Sequence, residues 1–88
     1  MVKRPTLALI PNPVLVGQGS KLVISGLPSG NPITVMLNDG SGKLEMKQVL
    51  AYADQMTVEL MGTSPGLHTV VVIQNGIIYS QKLLVAGH

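Results

Sequence analysis

Leu67-His-Thr-Val-Val-Val-Ile-Gln-Asn-Gly-Ile-Ile-Tyr-Ser-Gln-Lys-Leu-Leu-Val85 decides the fold. Two β-rich runs, Leu67 to Gln74 and Ile77 to Val85, are joined by Asn75-Gly76 alone. A two-residue link needs φ > 0 at both positions. Asn and Gly tolerate that, and the turn they make matches the twist of paired strands. The chain therefore closes on a β-hairpin. The same punctuation recurs upstream: short apolar runs are cut by Gly, Pro, Asn and Ser roughly every ten residues, the rhythm of a β-sandwich.

Working back from the hairpin, strands are expected at Thr6 to Ile10, Lys21 to Ser25, Ile33 to Leu37, Lys43 to Leu50 and Met56 to Met61. Pro11-Asn12-Pro13 breaks the first strand, because proline removes a ladder donor, and Val14 to Val16 continues it in the other sheet. Turns or loops fall at Gly17-Gln18-Gly19, Gly26 to Pro32, Asn38 to Gly42, Ala51 to Asp54 and Gly62 to Gly66. Only Leu44 to Met56 holds enough helix formers to compete. Its period-2 start, with Leu44 and Met46 inward and Lys43, Glu45 and Lys47 outward, favours strands. The expectation is a single domain over residues 1–88, all-β and antiparallel, with seven to eight strands. Shared parity names Leu22, Ile24, Val35, Leu37, Val58, Leu60, Val70, Val72, Leu83 and Val85 as the core.

Composition limits what such a domain does. Charged residues are 11%, against about 25% in average proteins, so the surface is bland. The net charge of +2 is small and the lysines are scattered, with only Lys3 and Arg4 adjacent. That is not the clustered basic face nucleic acid requires. No apolar run approaches the roughly 20 residues of a membrane span. Met1-Val-Lys-Arg resembles the charged start of a signal peptide, but Leu7 to Ile10 is too short for its apolar region. The chain is then either retained in the cell that makes it or a domain of a longer protein, with Gly87-His88 a possible tag remnant. With no cysteine, the redox compartment cannot be read.

Candidate chemistry is sparse. Asn38-Asp39-Gly40-Ser41-Gly42 with Glu45 shares an Asp and a Gly with Ca²⁺ loops, but such loops spread several acids over 12 residues. A hairpin turn is the better reading. His68 lacks companions for a metal, since His88 is terminal and cysteine is absent. Ser64, His68 and Asp54 make a Ser-His-acid set on paper only, with no nucleophile elbow around Ser64. Tyr52 and Tyr79 are the only aromatic residues, too few for a sugar or base-stacking platform. No enzyme, no cofactor and no metal site is expected.

Several motifs occur in a telling order. Pro11-Asn-Pro-Val leads to Gly17 or Gly19, then to Leu22-Val-Ile-Ser-Gly26. Pro65-Gly66 leads to Thr69-Val-Val-Val72 and then Asn75-Gly76, and Leu83 and Val85 close the chain. This order resembles bacterial immunoglobulin-like domains, closest to the IPT/TIG group. Leu27 stands where that group usually has an aromatic residue. The resemblance implies an immunoglobulin-like antiparallel β-sandwich, with His68 at a place where a Tyr often bonds back to the preceding corner. It also implies roles as spacers, adhesive modules, enzyme appendages or virion decorations, so the fold alone selects none.

Within that fold the strands beginning near Ile33, Leu67 and Ile77 share a sheet. The Leu67 strand offers two faces, Leu67/Thr69/Val71/Ile73 and His68/Val70/Val72/Gln74. Counting apolar residues favours the first as inward. The family pattern favours the second. With the second inward, Met36, Val71, Ile73, Ile78 and Leu84 lie outside as an apolar stripe. Scattered surface hydrophobes are ordinary; a stripe across three paired strands marks a partner surface. The expected function is a non-enzymatic structural or interaction module that binds a protein partner or a second copy, in a virion capsid or tail or on a cell surface. Alternatives are a dimerising or accessory IPT-type domain of a transcription regulator or multidomain enzyme, or weak ligand binding by the Gly26 to Pro32 and Gly62 to Gly66 loops.

Overall fold

The computed structural model describes residues 5–28, 30–61 and 64–87. The Lys3-Arg4 pair, the start of the chain, Gly62-Thr63 and His88 lie outside the described residues, as does Ser29 within the Gly26 to Pro32 loop. Eight strands and no helix are described: β1 (Thr6–Ile10), β2 (Val14–Leu15), β3 (Gly19–Ser25), β4 (Ile33–Asn38), β5 (Leu44–Leu50), β6 (Gln55–Met61), β7 (Gly66–Gln74) and β8 (Ile77–Ala86). They form two sheets, ordered β1-β3-β6 and β2-β8-β7-β4-β5.

The hairpin forms as the Asn-Gly link requires. Asn75 has φ 51° and Gly76 φ 77°, and Gln74 pairs with Ile77 across the turn. Strand alternation then sorts each side chain. All ten core residues read from parity are buried, and Ile33, Leu27, Met56 and Val14 join them in one apolar cluster fed by both sheets. On β7 the inward set is His68, Val70, Val72 and Gln74, all buried. Burying apolar side chains is worth about 1.5–3 kcal/mol each, so this shared cluster is the main source of stability.

Polar groups on the inner side are satisfied by bonds that pin the connections. Gln74 Nε2 donates to Pro28 O at 2.6 Å and to Asn31 O at 3.3 Å, which fixes the β3–β4 loop. Ser20 Oγ donates to Pro11 O at 2.8 Å and holds the crossing from β1 to β2.

Two expectations need correction. The sheets are not wholly antiparallel, because β2 pairs with β8 in parallel, Val14 beside Val85 and Leu15 beside Ala86. The chain continues in one direction after the Pro11-Asn12-Pro13 break and changes sheets, so it meets β8 running the same way. The second correction concerns β5. Leu44 is 49% exposed, not inward, while Glu45 is turned toward the core side. The cause is a bulge: Leu37 pairs with Met46 but Asn38 pairs with Leu44, skipping Glu45. An extra residue of this kind re-aims the side chains around it.

Candidate functional site

The five-stranded sheet has an outer face built by register. Thr34 pairs with Ile73, which pairs with Ile78; Met36 pairs with Val71; Asn38 pairs with Thr69; Leu67 pairs with Leu84. The sequence-read stripe is therefore distributed as follows. Met36, Val71, Ile73 and Ile78 are neighbours on this face. Met36, Val71 and Ile73 are half-buried by their flanks, and Ile78 is 66% exposed. Leu84 is 44% exposed on the same face but sits beside Leu67, separated from the others by the Thr69–Lys82 pair. Lys82 Nζ donates to Thr69 Oγ1 at 3.1 Å across that boundary. Val49, paired with Thr34, extends the apolar ground onto β5 and was not picked out from the sequence. Its signal was available: it follows two polar residues at the outward parity of β5.

The charge on this face is one-sided. Lys47 pairs with Met36 and Lys82 with Thr69. The one carboxylate of β5, Glu45, is withdrawn by the bulge. The outer face of the three-stranded sheet is different. There Lys21 pairs with Glu59, Val23 with Thr57 and Ser25 with Gln55, so its centre is mostly polar, while Ile10 beside Lys21 and Met61 beside Gly19 are exposed at its margins.

Glu45 meets His68 on the inner side. His68 Nε2 lies 2.9 Å from Glu45 Oε1, and Nδ1 donates to Gly66 O at 3.0 Å. The bond to Gly66 is the corner contact that the resemblance implies for this position. Ser64 Oγ donates to Glu45 Oε2 at 3.3 Å. The order is thus serine, carboxylate, imidazole. The hydroxyl touches the acid rather than the ring, and the ring has no exposed surface, so His68 is not placed as a base for Ser64. Asp54 is elsewhere, accepting from the Tyr52 hydroxyl at 3.1 Å; loss of water contact and that bond push the Tyr52 phenol up.

Asp39 closes the β4–β5 turn. Its Oδ1 accepts from Ser41 Oγ at 2.7 Å and from the Ser41 and Lys43 amides at 2.9 Å each. The Ser41 hydroxyl, followed by the Lys43 amide, holds this carboxyl below its ordinary range. Gly42 takes φ 88°, and its amide bonds Asp39 O at 3.0 Å, which completes a hairpin turn. One open cleft of about 410 Å³ lies between β1 and β8, lined by Pro5, Thr6, Leu7, Tyr79, Ser80 and Gln81.

No protein-family model matches the chain, and no curated protein matches it. The functional reading therefore rests on the residues and their arrangement.

Proposed function

We propose that the chain is an immunoglobulin-like β-sandwich acting as a non-enzymatic interaction module, and that the outer face of its five-stranded sheet seats on a protein partner. The supporting observation is the contrast between the two outer faces. One carries opposite charges and hydroxyls in its central cross-strand pairs, with exposed Ile10 and Met61 apart from each other at its margins. The other carries Met36–Val71, Ile73–Ile78 and Leu67–Leu84. Solvent exposure of such pairs is unfavourable, and burying them against a partner recovers about 25 cal/mol per Å². Among the described residues Lys47 and Lys82 have no paired carboxylate, which disfavours two of these faces meeting each other, since like charges repel. They favour a partner surface that supplies acids around an apolar centre. The resemblance makes a virion or a cell-surface protein the fitting host assembly.

The test uses a photo-crosslinking residue at Val71 and, as control, at Thr57 on the opposite sheet. In cells that make the chain, Val71 is expected to give a discrete adduct and Thr57 none. Met36→Lys and Ile73→Lys should remove the adduct while leaving the melting temperature nearly unchanged, because both side chains point away from the core. A buried unpaired charge at an interface costs several kcal/mol. Equal labelling from both faces, or an adduct that survives both lysines, overturns the reading.

A further inference from the structure

The β8 strand is ten residues long, and only its C-terminal part is covered on the side away from β7. The two-residue turn sets which backbone groups face which way. Gln74 and Ile77 close the turn as a hydrogen-bonded pair, so residues 77, 79, 81, 83 and 85 direct N–H and C=O to β7. The even-numbered residues direct theirs to the open side. The covered part obeys this rule: Asn12 Nδ2 donates to Lys82 O at 2.9 Å, the Leu84 amide donates to Asn12 Oδ1 at 3.1 Å, and the Val16 amide donates to Ala86 O at 2.9 Å. Ile78 and Ser80 are left with both backbone groups facing outward, and no described strand pairs with them there.

The other edges are defended. The β5 edge carries Lys47 and a bulge. The β6 edge carries Glu59, and β1 is five residues between Pro5 and Pro11. Charges, bulges, prolines and short length are the devices that stop edge strands from pairing with other chains. Ile77–Gln81 has none of them. It is uncharged, free of proline and in regular register with β7.

We propose that Ile77–Gln81 pairs antiparallel with the same segment of a second copy of this chain, with Tyr79 on the two-fold axis. This register places Ile78 opposite the second copy's Ser80, and Ser80 opposite its Ile78. Each outward N–H and C=O then has a partner, giving four hydrogen bonds from two self-matching residues; shifting by one residue would oppose outward groups to inward ones. On the outer face the two Ile78 side chains become diagonal neighbours about 7–8 Å apart, and Ile78 is the most exposed large apolar residue among those described. On the inner face the Tyr79 side chains meet beside the open cleft against β1, across which Gln81 Nε2 donates to Leu7 O at 3.4 Å. The inference is independent of the proposed outer-face partner, and Met36→Lys should leave it untouched.

The chain has no cysteine, so a single introduced thiol can only bridge two copies. In the proposed register the two position-79 Cα atoms are about 4.5 Å apart, a non-hydrogen-bonded pair within disulfide reach. Tyr79→Cys should cross-link on mild oxidation in buffer and not in denaturant. Gln81→Cys should not cross-link, since its two copies are offset by four residues, on the order of 13 Å along the strand. Wild type should sediment toward twice 9.2 kDa as concentration rises. Ser80→Pro should remain at the monomer mass, because it deletes an outward donor yet leaves the β7 ladder whole. Ser80→Pro also decides the case if Tyr79→Cys fails to fold, given that Tyr79 packs against the core. A wild type that stays monomeric at all concentrations, a dimer that survives Ser80→Pro, or equal cross-linking at positions 79 and 81 overturns the proposal.

Discussion

The His68 imidazole faces an oxygen on each side. Gly66 O can only accept, so Nδ1 carries a hydrogen. Nε2 lies 2.9 Å from Glu45 Oε1. Both groups are nearly sealed from water, so their contact stabilises only as a pair. Removing one member weakens the setting of the other: His68→Leu takes the imidazole from a nearly buried Glu45 carboxylate that keeps the Ser64 hydroxyl. The expected loss is about 3–5 kcal/mol, a large share of a small domain's stability. The double variant His68→Leu/Glu45→Leu should recover much of that loss, because no uncompensated charge remains. Urea unfolding of the four proteins in the cycle measures the coupling. Additive losses would mean that the two residues do not act as a pair. Asp39 sits in a more open setting, half-buried in the β4–β5 turn. Its folded-state acidity is lowered, first by the Ser41 hydroxyl and then by the Lys43 amide. The bonds are therefore fully present above the ordinary carboxylate range and are lost as pH falls through the lowered value. In an NMR titration the Ser41 and Lys43 amide signals should move together at that lower pH. Asp39→Ala should abolish the transition; a transition that persists would assign it to another group.

At the level of elements, β7 offers a test within two adjacent identical residues. Val70 is sealed in the core, and Val71 stands on the outer face. Val70→Ala should cost about 2 kcal/mol, for two buried methyl groups and the cavity left behind. Val71→Ala should cost well under about 1 kcal/mol. Chemical unfolding of the two variants reads the parity of the strand directly, and equal losses would contradict it. Leu22→Ala and Leu60→Ala, from the three-stranded sheet, should each cost about 2–5 kcal/mol. This parity was legible in the sequence because period-2 alternation is set by the backbone and survives any packing partner. The Asn75-Gly76 turn was legible because few residue pairs tolerate φ > 0 twice. What alternation could not carry was its own interruption. The bulge at Glu45 adds one residue without a local mark, so Leu44 and Glu45 exchanged sides. With it went the Glu45–His68 contact, whose members are 23 residues apart in sequence (45 and 68). The parallel β2–β8 pairing was hidden for a different reason: a two-residue strand has no periodicity to read. The outer face was legible as a set of apolar positions, but its division by Thr69 and Lys82 emerges only from cross-strand register.

Over the whole molecule, the ends of the described chain are fastened to each other. Asn12 acts as one more rung of the β2–β8 ladder: its side-chain amide donates to Lys82 O and accepts from the Leu84 amide, seventy and seventy-two residues away. The Val14–Val85 and Leu15–Ala86 pairs and the Val16 bond to Ala86 O continue the same seam. The seam does two things. It closes the fold over about seventy residues, where the entropy of bringing chain ends together is large. It also covers the C-terminal half of the β8 edge, so that only Ile77–Gln81 stays open for pairing. Asn12→Ala removes the seam's first rung, leaving Lys82 O and the Leu84 amide to water. The two bonds are solvent-exposed, so the expected loss is modest, about 1 kcal/mol. The effect on association should be larger than that figure suggests, because the open edge lengthens from two outward-facing residues to four. Asn12→Ala should therefore melt slightly earlier and scatter more light with rising concentration. The double variant Asn12→Ala/Ser80→Pro should keep the stability loss and show less scattering than the single variant, since proline again interrupts the edge. Scattering from Asn12→Ala that equals the wild type's, or that is unaffected by Ser80→Pro, would show that the seam stabilises the fold without guarding the edge.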